Sequence, residues 1–197
     1  MSWELLAVPL ATAWGTIVPI AVGVVLVLWA VGAYNKLVRL KNLADEKWAD
    51  IETELKRRYN LIPNLVETVK GYASHEKETL EAVMKARNAA ASPHASPADQ
   101  ARDDNFLSGA LRQLFAVVEN YPDLKANTNF LELQQELSDT ENRIQRSRSV
   151  YNDNVRDLNT RIEMFPSNVI AGLFGFDKKD FFEIEDPAAR EVPKVEF

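Results

Sequence analysis

The chain has 197 residues, 46% apolar and 26% charged, which is close to a globular average and excludes wholesale disorder. It has no cysteine, so disulfides, thiolate metal sites and cysteine nucleophiles are excluded. A net charge of −6 gives no basic footprint for nucleic acid, and none of the seven glycines forms a phosphate-cradling G-x-x-x-x-G-K loop.

The N-terminus departs from this ordinary composition. From Leu5 to Asn35 no side chain is charged. Its densest part, Ile17 to Tyr34, has the length of a transmembrane helix, about 20 residues. Pro19 falls in the first turn, where a missing N–H costs little. Trp14, Trp29 and Tyr34 lie towards the ends, where amphipathic rings favour the interface. A cleaved signal peptide fits poorly, because no basic region precedes the run and no A-x-A site follows it. Residues 1–35 are therefore expected to be a retained anchor, with residues 17–34 in the lipid bilayer. Lys36, Arg39 and Lys41 follow the span and no Lys or Arg precedes it. The positive-inside rule then puts the C-terminal body in the cytoplasm, as a single-pass protein of the cytoplasmic membrane.

The body, residues 36–166, is predicted to be all-α: an antiparallel up-down four-helix bundle with helices at about 36–59, 61–89, 99–121 and 129–165. Leu37, Ala44 and Ile51 form one heptad row, with Trp48 and Leu55 in the other. Leu65, Val66, Val69, Tyr72, Leu80, Val83 and Met84 supply a second stripe. The small residues and prolines of "AAASPHASPADQ" read as a loop. Phe106, Leu107, Ala110, Leu111, Leu114, Val118 and Tyr121 form a third stripe, stopped by Pro122. In the fourth, Phe130, Leu137, Ile144, Tyr151, Leu158 and Phe165 follow one another at seven-residue spacing. Asn129 and Glu132 have capping-box spacing at its start, and Pro166 closes it.

Pro63 falls in the first turn of the second predicted helix and decides whether the first two are separate. Inside a helix it would forfeit a hydrogen bond and crowd the Tyr59 carbonyl, at ~3 kcal/mol. In the first turn of a new helix capped by Asn60 it would cost little. Leu55, Ile62 and Val69 do keep heptad phase across it. A continuous helix from Asn35 to Asn88 would however run ~80 Å, whereas a split gives segments of ~38 and ~42 Å, comparable with their partners. A break at Asn60 is the expectation.

After an even number of passes the fourth helix returns towards the membrane. There the segment 167–182 carries Val169, Ile170, Leu173, Phe174, Phe176, Phe181 and Phe182, an apolar excess over what the heptads consume. A short helix capped by Ser167 or Asn168 and ended by Gly175 is expected in it. Residues 183–197 read as an acidic flexible tail.

The stretches "YNKLVRLKN", "LIPNLVETVKGYASHEKETLEAV", "YPDLKAN", "FLELQQELSDTENRI", "YNDNVRDLNT" and "FPSNVIAGLFGF" together resemble the LemA family of bacterial membrane proteins. The resemblance covers roughly residues 34 to 182, leaving the anchor and the acidic tail outside it. It implies a bacterial inner-membrane protein with one N-terminal transmembrane helix and a soluble antiparallel four-helix bundle, with no established enzymatic activity.

Candidate chemistry is sparse. His75, Glu78 and Thr79 share a helical face, but a bundle metal site takes carboxylates and Glu-x-x-His units from several helices. Glu52, Glu54, Glu76, Glu78 and Glu81 fit a solvated face better than an acid–base dyad. Ser138, Ser147, Ser149 and Ser167 have no evident His partner. Lys56, Arg57 and Arg58 read as solvating a bundle end, and Thr140 and Ser147 as register-setting residues of a seam. Asn142, Arg143, Tyr151, Asn152 and Asn154 are expected to bond helix to helix. No cofactor, metal or catalytic residue is expected. Leu173, Phe174, Phe176, Phe181 and Phe182 are the expected contact residues of a scaffold that forms homo-oligomers and binds other membrane proteins. An enzymatic or metal-binding bundle, or a transmembrane sensor, is the alternative.

Overall fold

A computed structural model describes residues 8–183, with side chains from Ile17 onward. The expected acidic tail lies outside the described residues apart from Glu183, as do the side chain of Trp14 and the first residues of the anchor. Among the described residues the protein is all-α, with six helices and no strand.

Helix α1 runs from Val8 to Lys70 without interruption. The separate helices expected at 36–59 and 61–89, with a break at Asn60, are therefore incorrect. The reason lies in a side chain far away in sequence. Pro63 has no N–H for the carbonyl of Tyr59, and Arg87 of the next helix fills the vacancy, donating from Nε to that oxygen at 3.0 Å. Ile62, Leu65 and Val69 are fully buried around the proline, so continuing the heptad phase removes apolar surface from water that a break would expose.

The chain reverses instead over residues 71–76. The amides of Gly71 and Ala73 donate to the carbonyls of Glu67 and Val69 at 3.3 and 2.8 Å, using up acceptors at the helix end. Helix α2, Lys77–Ala90, is correspondingly shorter than predicted. Helix α3, Pro97–Val118, begins at Ser96, whose hydroxyl accepts from the Asp99 amide at 3.1 Å, with proline in its first turn. A single turn, α4, occupies Pro122–Lys125. Helix α5 spans Thr128–Glu163, and its entry is bonded by Asn127, whose Oδ1 accepts from the Phe130 amide at 3.0 Å, in place of the expected box at Asn129. Helix α6 is Ser167–Phe174 and ends on Gly175 at φ 67°, the left-handed conformation that glycine adopts without a Cβ penalty.

The chain divides into two units. The first comprises residues 1–43 and 156–178, and its core joins Ala33, Leu37 and Leu40 of α1 to Leu158 of α5 and Ile170 and Ala171 of α6. The second comprises 44–155 and 179–197, and its larger core draws on α1 (Ile51, Leu55, Ile62), α2 (Leu80, Val83), α3 (Leu107, Leu114) and α5 (Phe130, Ile144, Tyr151). Up to Tyr34, by contrast, the large apolar side chains of α1 from Ile17 onward are exposed, and this helix is long and apolar enough to cross a membrane.

Candidate interaction surface and buried polar network

Within the first unit, α6 follows α5 after residues 164–166. Ser167 is buried, its hydroxyl facing the carbonyls of Arg161 and Met164 at 2.7 and 2.9 Å, so the chain's turn is tied to the last turn of α5. Ile170 and Ala171 face inward. The outer side is apolar and open: Leu173 is 74% exposed, Phe174 61% and Val169 52%, with Met164 and Phe165 exposed just ahead of them. Nothing in Ser167–Phe174 is charged. The ring of Tyr34, at the end of the apolar run of α1, lies 4.8 Å from that of Phe174 and 5.7 Å from that of Phe176.

Of the five expected contact residues, Leu173 and Phe174 are on this open face. Phe176 is half-buried against the core of the same unit. Phe181 packs on the core of the second unit, and Phe182 is fully buried within it, so Phe182 is a core residue and not a contact residue. Asn152 holds Phe182 by both backbone groups: its Nδ2 donates to the carbonyl at 3.1 Å, and its Oδ1 accepts from the amide at 2.9 Å. The Tyr151 hydroxyl donates to the carbonyl of Asp180 at 2.8 Å. Trp48 closes the arrangement, its ring 5.4 Å from those of both Tyr151 and Phe182. The hydrogen bonds of Tyr151 and Asn152 thus secure the C-terminal segment and not a neighbouring helix, while Asn154 donates to Val150 in its own helix. Phe165, placed by heptad phase in the seam, is 80% exposed because α5 ends at Glu163.

The second unit also contains a charged cluster that sequence reasoning missed. Arg58, 4% exposed, donates from Nη1 to Asp104 Oδ2 at 3.0 Å and from Nη2 to Ser108 Oγ at 2.8 Å. Glu141 of α5 approaches the same guanidinium at 3.3 Å. The Tyr59 hydroxyl donates to Asp104 Oδ1 at 3.3 Å and accepts from Gln100 Nε2 at 2.9 Å. Burial pushes the Asp104 carboxyl above its usual range and Glu141 adds to this, while Arg58 opposes it. Burial likewise raises the Tyr59 phenol, and pushes that of Tyr151 up to about 12. Arg58 therefore does not solvate a bundle end. Its signal was available: Ile51, Arg58 and Leu65, like Asp104, Leu111 and Val118, share one heptad row.

Other candidates stay apart. His75 and Glu78 are exposed, and His94 pairs through Nε2 with Asp103 at 2.9 Å in the α2–α3 connection. Among the described residues no three His, Asp or Glu side chains are grouped to hold a metal. Thr140 is buried and donates to Glu136 in its own helix at 2.8 Å.

The LemA family pattern matches residues 47–197, so it begins after the candidate span and includes the acidic tail that the sequence motifs had left out. Protein LemA of Metamycoplasma hominis is 28% identical over 169 residues, covering 84% of this chain and 74% of that protein. Magnetosome protein MamQ of Magnetospirillum gryphiswaldense is 27% identical over 180 residues, covering 79% of this chain and 66% of that protein. Magnetosome protein MamQ 2 of Paramagnetospirillum magneticum is 26% identical with the same coverage.

Proposed function

The chain belongs to the LemA family, and from that premise we propose a non-enzymatic scaffold or adaptor, anchored once in the bacterial inner membrane with its helical body in the cytoplasm. Its work is binding: self-association and recruitment of other membrane proteins. The observation that carries this reading is α1 itself. One uninterrupted helix supplies both the apolar run suited to a bilayer and a wall of the larger core. Every copy is then confined to two dimensions with its body at the surface, where high effective concentration lets weak lateral contacts hold an assembly together.

Cross-linking in native membranes, followed by detergent extraction and size analysis, tests it. Dimers or larger species that persist on dilution with detergent are expected. A well-folded chain that is monomeric in both measurements would remove self-association, and with it the scaffold.

A further inference from the structure

We propose that the outer face of α6 is an interfacial foot whose occupant is the lipid boundary of the same bilayer that holds residues 17–34. The juxtaposition that requires this is local to the first unit. Tyr34 is the last residue of the exposed apolar run, and the ring of Phe174 lies against it, tilted, at 4.8 Å. A bilayer that accepts the run up to Tyr34 brings its interface to the level of that ring pair, where amphipathic aromatic rings are favoured. Leu173, Phe174 and Val169 then meet the headgroup and acyl boundary together with Met164 and Phe165.

Charge agrees with this depth. Ser167–Phe174 contains no charged residue, while exposed Lys36, Arg39 and Lys41 follow Tyr34 within two turns of α1, placed for anionic headgroups. Lys178, just past α6, is paired with Glu163. Burial is one-sided, with Ile170 and Ala171 packed on Leu37, Leu40 and Leu158. The inner face is thus satisfied by protein, leaving lipid to cover the outer one. The helix is short, so its residence at the interface depends on the span beside it, not on affinity of its own.

The absence of native cysteine makes a direct test available. Full-length Leu173→Cys and, as control, Ser138→Cys on exposed α5 surface are labelled with an environment-sensitive fluorophore and reconstituted in phosphatidylglycerol–phosphatidylcholine vesicles. Shallow nitroxide-labelled lipid is expected to quench the probe at 173 at least about threefold more than the probe at 138, as an interfacial position requires. Equal, weak quenching at both sites would overturn the foot. So would shielding at 173 that disappears when each vesicle holds a single copy, because a second copy would then be the occupant. Equal, weak quenching does not depend on whether the protein assembles, and occupancy by a second copy would overturn the foot while supporting self-association, so the foot and the scaffold reading fail separately.

Discussion

Arg58 and Asp104 are a charged pair inside an apolar seam, and removing Arg58 leaves Asp104 buried without its counter-charge. Arg58→Ala is expected to cost ~3–5 kcal/mol, whereas Arg58→Met with Asp104→Leu costs far less than the single changes combined. Urea unfolding of the detergent-solubilised chain reads this directly; additive losses would show that the two do not act as a unit. The pair also sets a pH slope. Because burial raises the Asp104 carboxyl in the folded state, the folded protein holds a proton that the unfolded chain releases. Stability therefore falls as pH rises from the ordinary carboxylate range, about 4, through the raised folded value, and Asp104→Asn is expected to flatten that fall. Tyr151 behaves alike in the alkaline range, losing stability between its ordinary value of 10.0 and about 12, and Tyr151→Phe removes that loss in alkaline melting curves. These residues were hard to read because charge was taken as a mark of surface, although both Arg58 and Asp104 stood in rows of buried aliphatics.

At the scale of elements, periodicity gave the stripes of α1, α3 and α5 but not where α1 ends. Heptad phase across Pro63 was visible, and length arguments outweighed it. The deciding group was Arg87, 28 residues from Tyr59, and local propensity carries no information about a tertiary donor of that kind. Arg87→Ala is expected to destabilise by ~1–3 kcal/mol by stranding the Tyr59 carbonyl. With Pro63→Ala, which restores an N–H beneath that carbonyl, the same change should cost much less. A double-mutant cycle on thermal unfolding measures the coupling, and a cost for Arg87→Ala that Pro63→Ala leaves untouched would refute the pairing. The C-terminal apolar segment was legible as an excess of phenylalanine, but its division was not. Phe182 goes inward because Asn152 satisfies its backbone, whereas α6 stops on Gly175 with Leu173 and Phe174 facing out.

For the molecule as a whole, the apolar run and the cations behind it were readable in the sequence because lipid imposes a coarse requirement on length and charge. Topology is checked by labelling Ser138→Cys in sealed spheroplasts with an impermeant maleimide. No reaction until the membrane is opened is the outcome expected of a cytoplasmic body. The relation between α1 and α2 obeys a finer rule. A helix with a complete ladder could slide past its neighbour by one turn at the expense of side-chain fit alone. Where α1 meets α2, Pro63 leaves a notch in the ladder, and the guanidinium of Arg87 enters it like a key. Any shifted alignment withdraws the key and bares the notch, so the imperfection in one helix excludes neighbouring registers that hydrophobic patterning by itself would tolerate.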